Sequence, residues 1–160
     1  MRFAVVVSFP DLAPVVDGLR ERSCVSKPSH GVPPHVTLLV PGPADRGAIA
    51  TVLTEFDSFD VSFGTLDRFP GALWLAPDPD EPFREMTAAL VAQFPDYQPY
   101  GGMFPDAAPH LTVAQADFDA AAAELEPRLP LRTRARSVAL LAQARPDRWE
   151  TVATFTLGAG

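Results

Sequence analysis

The chain has 160 residues, a length that fits one compact domain or two small lobes that share a core. Its 47 % apolar and 21 % charged residues are typical of a folded protein and exclude a disordered chain. Thirteen basic and 20 acidic residues leave a net charge of −7, which argues against a protein that binds long nucleic acid through a basic surface. A small phosphorylated ligand remains compatible, because a local pocket can be positive inside an acidic molecule.

The cysteine content and the apolar runs bear on the location of the protein. Cys24 is the only cysteine, which excludes an internal disulfide and a cysteine-based metal cluster and favours a reducing compartment, so we expect the cytoplasm. The first apolar run stops at Pro10 and Asp11 and is too short for a secretory signal. No stretch reaches the roughly 18 apolar residues of a membrane span, so we expect no membrane partner.

The first half of the chain alternates predicted strands and helices. A β-branched run predicts a buried strand over residues 2–9, and apolar residues at helical spacing predict a helix over 11–22 with Asp11 as its N-cap. After a loop, the pattern predicts a strand over 35–40, a helix over 45–56, a long strand over 59–69 and a short strand over 72–76.

The same order of elements then restarts. The pattern predicts a helix over 81–94, a loop over 95–109, a strand over 110–115, a helix over 117–129 and strands over 132–144 and 149–157. This restart predicts a single domain over 1–160 with an internal duplication, its halves being approximately 1–70 and 71–160. The predicted fold class is α+β, with two pseudo-symmetric lobes, mainly antiparallel sheets flanking a central cleft, and helices on the outer faces.

One motif occurs in both halves. The pattern Pro-His-apolar-Thr-apolar is found at residues 34–38 and again at 109–113. Alternate residues of a strand point to the same face, so His35 and Thr37 share one face, and His110 and Thr112 share one face in the second copy. If the lobes are pseudo-symmetric, two imidazoles and two hydroxyls converge on one cleft.

These residue types suit the hydrolysis of a cyclic phosphodiester. A neutral imidazole accepts a proton and an imidazolium donates one, and the usual pKa of about 6.5 makes both forms available. One histidine can assist the attack of water on phosphorus while the other protonates the departing ribose oxygen, and the threonine hydroxyls can bind the other phosphate oxygens. The sequence does not assign base and acid. The plainer alternative is that each histidine is an ordinary residue at a sheet edge.

A metal site is the rival use of the two histidines. Zinc needs three or four ligands, usually including a closely spaced pair, and the sequence has no His-x-x-x-His. The glycine-rich motifs of phosphate-binding loops and of nicotinamide binding are also missing from the sequence. We therefore predict neither a metal nor a cofactor.

The two motifs, their spacing and the duplicated layout resemble the two-histidine (2H) phosphoesterase superfamily, and within it the bacterial 2′-5′ RNA ligase-like and cyclic phosphodiesterase branch. The segment PYGGMF at 99–104, before the second motif, is similar to that of some bacterial members. The resemblance implies a bilobal fold with a central cleft, metal-independent chemistry, and a catalytic set of His35, Thr37, His110 and Thr112.

The resemblance also implies a substrate class. Nucleotides or RNA ends with a 2′,3′-cyclic phosphate, ADP-ribose cyclic phosphate and 2′-5′-linked oligonucleotides belong to it. The main hypothesis is a cyclic phosphodiesterase whose partner is a small nucleotide or a short RNA end, acting as a monomer. The alternatives are 2′-5′ RNA ligation or RNA end processing, and a nucleotide-binding module without catalysis.

Further residues are candidates for substrate binding. Tyr100 and Phe104 could stack on a nucleobase or pack within their loop. Arg134, which shares a strand face with Arg132 and Arg136, could hold phosphate or belong to a solvated face. Both tryptophans, Trp74 and Trp149, lie in predicted strands, so we expect them to be core or partly buried residues.

Overall fold

The computed structural model describes residues 1–102 and 108–159, which form two four-stranded antiparallel sheets and four α-helices. The predicted α+β class with antiparallel sheets is confirmed. The strands are β1 (Arg2–Ser8), β2 (His35–Leu39), β3 (Phe59–Phe69), β4 (Ala72–Asp78), β5 (Leu111–Ala114), β6 (Leu131–Ala135), β7 (Ser137–Arg145) and β8 (Arg148–Thr156). The helices are α1 (Ala13–Ser23), α2 (Arg46–Leu53), α3 (Glu81–Gln93) and α4 (Phe118–Leu125).

The two sheets do not divide the chain at its middle. The first sheet has the strand order β2-β1-β7-β8, and the second has the order β5-β4-β3-β6. The second sheet comes from one continuous stretch of chain, whereas the first combines strands from both ends. The predicted halves 1–70 and 71–160 therefore do not coincide with the sheets. Strand β3 pairs across the predicted boundary because a tight turn at Gly71, which has a φ of +86°, joins it to β4 as a hairpin.

Two sequence predictions differ from the observed elements. The strand predicted over 132–144 is two strands, β6 and β7, which lie in different sheets on either side of Arg136. The apolar pattern runs on through this crossing, so periodicity does not report it. The predicted N-cap at Asp11 is also wrong, because α1 begins later, after Leu12. The Asp11 carboxylate instead accepts a hydrogen bond from the Thr133 hydroxyl.

The core lies between the helices and one face of each sheet. In both motifs the apolar residues point into it: Val36, Val113 and Leu111 are fully buried, and Leu38 is nearly so. The helices contribute apolar stripes at helical spacing to the same core. On the described residues, none of the helices is long and apolar enough to cross a membrane.

Crosswise helix packing places the two motif strands side by side. Helix α1, which precedes the first motif in the chain, packs against β5 of the second motif. Helix α3, which precedes the second motif, packs against β2 of the first. The Thr87 hydroxyl of α3 donates to the Leu38 carbonyl of β2 at 2.8 Å, and the Gln115 amide after β5 donates to the Ser23 carbonyl of α1 at 3.2 Å. Strands β2 and β5 contact each other as a result. The faces of the sheets opposite the core remain free to form a site.

Candidate active site

The two motif histidines have the same local geometry. The Nδ1–H of His35 donates to the Pro33 carbonyl at 2.8 Å, and the Nδ1–H of His110 donates to the Ala108 carbonyl at 2.7 Å. A carbonyl only accepts, so Nδ1 carries the hydrogen in both rings and Nε2 is the nitrogen that can exchange a proton. Each accepting carbonyl belongs to the residue before the motif proline, which that proline restricts to an extended conformation. The Pro-His pair thus helps to orient the ring.

Each motif threonine lies on the sheet face opposite the core. Thr37 pairs with Val6 of β1, and Thr112 pairs with Trp74 of β4. Directly paired residues of an antiparallel ladder share a face, so Val6 and Trp74 occupy matching places beside the two motifs. The motif histidines and threonines are all half-buried, as expected for side chains that border a cleft.

Tyr100 connects the two motifs. Its ring stacks on the His110 imidazole, with centroids 6.2 Å apart and an interplanar angle of 23°. Its hydroxyl shares a hydrogen bond with the Thr37 side chain. Its amide donates to the Val40 carbonyl at 2.6 Å, and its backbone has a φ of +54°, a strained value for a residue with a side chain. A histidine of one sheet and a threonine of the other therefore belong to one site. Phe104, the other aromatic candidate, lies outside the described residues.

The surroundings of the two histidines differ. Besides Tyr100, His110 contacts the ring of Phe69 at a centroid distance of 5.0 Å and that of Trp74 at 5.7 Å. The indole N–H of Trp74 is buried without a hydrogen-bond partner on the described residues. His35 instead borders a cavity of about 200 Å³. His110 is thus enclosed by aromatic rings, whereas a small cavity adjoins the half-buried His35.

Arg20 is a residue that the sequence reasoning missed. Its side chain is buried, and Nη1 pairs with the Asp17 carboxylate at 2.7 Å. Nη2 donates to the carbonyls of Val32 at 2.9 Å and Pro33 at 3.2 Å. The Pro33 carbonyl also accepts the ring N–H of His35, so the guanidinium supports the group that orients this histidine. Helical spacing from the apolar residue Val16 was the available signal, since it places Arg20 on the buried face of α1.

Burial makes both histidines weaker bases than usual. It lowers the pKa of His35 to about 4, and the charges of Arg20 and of His110 act in the same direction, against the hydrogen bond to Pro33. Burial also lowers the pKa of His110, against its hydrogen bond to Ala108. His35 is therefore neutral at pH 7, and its Nε2 is a proton acceptor. Burial raises the pKa of Tyr100, so its phenol keeps its proton.

Arg134 lies apart from the histidines. It pairs with Asp60 at 2.8 Å and donates to the Ser58 hydroxyl at 3.0 Å. It lines a different cavity, of about 570 Å³, whose other walls include Arg132, Asp11, Asp78 and Arg136. Strand β6 is at the opposite edge of the second sheet from β5, about 14 Å away across three strand spacings. The proposed role of Arg134 in phosphate binding gains no support from this placement.

The two tryptophans are placed differently around the histidines. Trp74 is buried beside His110, and Trp149 is half-buried and lines the cavity beside His35. Both placements agree with the expectation of core or partly buried residues.

The side chains that could ligate a metal are scattered. Among residues 1–102 and 108–159, no three side chains of His, Cys, Asp or Glu are grouped so that they could hold a metal ion. The groups that surround the two histidines are hydroxyls, aromatic rings and the buried guanidinium of Arg20.

Comparison with known proteins identifies relatives of the chain. Residues 9–147 match the family model of the 2′-5′ RNA ligase superfamily. The fold is similar to that of E. coli LigT complexed with 3′-AMP, with 14% identity, 98% coverage of both chains and a TM-score of 0.61. A protein of Thermus thermophilus is similar with 18% identity, full coverage of both chains (100% of each) and a TM-score of 0.61. A structure described as a phosphoesterase gives 14% identity, 98% coverage of both chains and a TM-score of 0.59. No curated protein matches the chain.

Proposed function

The chain belongs to the 2′-5′ RNA ligase superfamily of two-histidine phosphoesterases, and we propose that it hydrolyses a cyclic phosphodiester at the site of His35 and His110. The substrate would be a nucleotide or an RNA end with a 2′,3′-cyclic phosphate, or ADP-ribose cyclic phosphate. The observation that carries the proposal is the matched pair of imidazoles, each with Nδ1 bonded to a carbonyl, which makes Nε2 the nitrogen that can exchange a proton. E. coli LigT, which has a similar fold, has been crystallised with 3′-AMP, ATP and NADP⁺.

The environments of the histidines favour different roles. His35 is neutral at pH 7, and its Nε2 can accept a proton, so it suits the general base that takes a proton from water. Water then forms a bond to phosphorus, and the bond from phosphorus to one ribose oxygen breaks. The negative charge of the bound phosphate favours the imidazolium form of His110. His110 then protonates the departing oxygen from Nε2. The proton on His35 returns to His110 through solvent at the end of the cycle.

The hydroxyls supply the phosphate contacts in this mechanism. Thr37 and Thr112 donate to the phosphate oxygens that are not in the ring. Tyr100, whose phenol keeps its proton, donates a third hydrogen bond when phosphate replaces it on Thr37. These neutral donors can hold the anion although Arg134 lies apart from the histidines.

The test is a comparison of the wild type with the His35→Ala and His110→Ala variants. We expect each substitution to lower the hydrolysis of 2′,3′-cyclic nucleotides or ADP-ribose cyclic phosphate by about 10²- to 10⁴-fold. A chelator should leave the wild-type rate unchanged. His30→Ala is the matched control, because His30 is the third histidine and belongs to neither motif. A wild-type rate that neither active-site substitution reduces would overturn the proposal.

The family match also supports a second candidate, 2′-5′ joining of RNA ends or its reversal. The same two histidines would then activate a ribose hydroxyl instead of water. An RNA with a cyclic phosphate end and a second RNA with a free 5′-hydroxyl end are the substrates to supply. A joined product whose yield falls steeply with salt would favour this activity over hydrolysis of a small nucleotide.

A further inference from the structure

The cavity beside His35 is built on the motif face of the first sheet. Val6 pairs with Thr37, and Ala4 of the same strand pairs with Leu141 of β7. Gln143 pairs with Arg2 on one side and with Trp149 of β8 on the other. Paired residues share a face, so the cavity lies on the same surface as the motif side chains His35 and Thr37, which form part of its wall.

The lining of this cavity suits a flat apolar group attached to an anion. Its floor consists of the small and aliphatic side chains of Ala4, Val6 and Leu141, and Trp149 packs against the same group. Arg2 contributes a cation that takes part in none of the ion pairs between described residues. The described residues that line the cavity include no acidic side chain, although the chain has 20. The larger cavity beside Arg134, by contrast, has three aspartates in its wall.

The size of the cavity limits what it can hold. A volume of about 200 Å³ corresponds to roughly six or seven water molecules. Sites for whole drug-sized ligands usually span about 300–1,000 Å³, so this cavity fits one part of a nucleotide. An aromatic heterocycle is the part that matches an aliphatic floor and an indole in the wall.

We propose that this cavity is the base subsite, in which Trp149 stacks on the heterocyclic base of a nucleotide whose cyclic phosphate lies between the two histidines. The inference rests on the proposed function and adds a specificity-determining residue to it: Trp149 favours cyclic phosphates that carry an aromatic base over sugar cyclic phosphates without one. The cation of Arg2 favours a phosphorylated ligand over a neutral nucleoside.

The experiment compares two substrates in two variants. Adenosine 2′,3′-cyclic phosphate has a base, and ribose 2,3-cyclic phosphate has none. We expect Trp149→Ala to raise KM for the first substrate about tenfold with little change in kcat, and to leave kcat/KM for the second unchanged. Trp149→Phe, which retains an aromatic face, should recover most of the affinity. Thr156→Ala, an exposed position near the other end of the same strand, is the matched control and should leave both substrates unaffected.

A binding measurement keeps this inference separate from the proposed function. Titration calorimetry with 3′-AMP should show about tenfold weaker binding to Trp149→Ala than to the wild type, whether or not any cyclic phosphate is hydrolysed. Ala4→Leu places a larger side chain in the floor of the cavity and should weaken 3′-AMP binding in the same way. If the histidine variants lose activity but Trp149→Ala and Ala4→Leu bind 3′-AMP as the wild type does, the base subsite is overturned and the proposed function stands. Weakened binding without hydrolysis of any substrate would overturn the proposed function alone.

Discussion

The two copies of the motif share their local geometry and differ in their neighbours. In both, a carbonyl two residues before the histidine holds Nδ1, and a threonine two residues after it shares the same face. His110 is enclosed by aromatic rings, whereas His35 borders a cavity and has the buried Arg20 behind its carbonyl. The short motif thus builds the same group twice, and the residues around it make the two groups chemically unequal.

A single matching position accounts for much of this difference. Trp74 lies beside Thr112 in the second sheet, where Val6 lies beside Thr37 in the first. An indole fills the space that a valine leaves open. Substitutions at these and nearby positions therefore test how the neighbours make the two histidines different.

Trp74→Ala should have the largest effect, because it opens beside His110 a space like the one beside His35. Truncating a buried tryptophan costs about 3–5 kcal/mol of unfolding free energy. The pKa of His110 should rise as its burial decreases, which NMR titration can follow. Trp74→Phe is the matched control, since it retains a ring and removes the unpartnered N–H, and it should cost much less in denaturant unfolding. Equal losses in the two variants would contradict the role of the ring.

Protein stability should depend on the protonation of His35 more than on that of His110. The folded-state pKa of His35 is about 4, below its usual 6.5, so the unfolded chain binds the proton first as pH falls. The stabilisation is complete above pH 6.5 and is lost between about pH 6.5 and 4, at most about 3 kcal/mol.

Urea unfolding of the wild type and of two variants across this range tests the prediction. His35→Gln should flatten the pH dependence more than His110→Gln, because only His35 has both burial and the Arg20 charge against its charged form. The same flattening in both variants would show that the two environments are equivalent.

The two threonines should contribute unequally to activity. Valine retains the shape of threonine without its hydroxyl, and loss of a hydrogen bond to a charged group costs about 1.5–3 kcal/mol, or about 10- to 100-fold in kcat/KM. We expect Thr37→Val to be the more harmful, because it also releases Tyr100. Tyr100→Phe separates the two contributions and should lie between the wild type and Thr37→Val. A larger loss in Thr112→Val would reverse the proposed asymmetry.

Arg20→Met should move the proton affinity of His35 towards that of an ordinary histidine. The substitution removes a positive charge near His35. It also removes the hydrogen bond from Arg20 to the Pro33 carbonyl, which then accepts only from His35, and both changes raise the pKa of His35. The acidic limb of the pH–rate profile should rise by about one pH unit. Arg20→Lys should restore most of the shift, and Arg22→Met, which removes an exposed ion pair with Glu124, should leave the limb in place. An unchanged limb in Arg20→Met would exclude this influence.

The elements of the fold were largely accessible from the sequence. Strand β3 was predicted with its observed bounds, and Asp45, which begins the predicted helix over 45–56, caps α2 by accepting from the Ala48 amide at 3.0 Å. Periodicity reports which face of an element is buried and does not report which partner covers it. It therefore missed the passage from one sheet to the other at Arg136 and the pairing of β3 with the second half of the chain.

The candidate site was only partly accessible. The motifs predicted the faces of His35 and His110, because alternation along a strand is a local property. Arg20, Trp149 and the bond between Tyr100 and Thr37 depend on residues that are distant in sequence, and no spacing rule connects them. The position of Arg134 beside Asp60 follows from the register of β3 with β6, which the sequence does not specify.

The residue pattern alone specifies most of the α+β elements, the duplicated motif and the chemistry of its imidazoles and hydroxyls. These follow from side-chain type and from the period of a strand or helix, which neighbouring residues define. The contact between the motif strands, the rings around His110, and the cavity and buried cation near His35 arise from packing between distant parts of the chain. Burial and charge act through space, so the difference between two copies of the same motif pattern arises only when the whole chain packs.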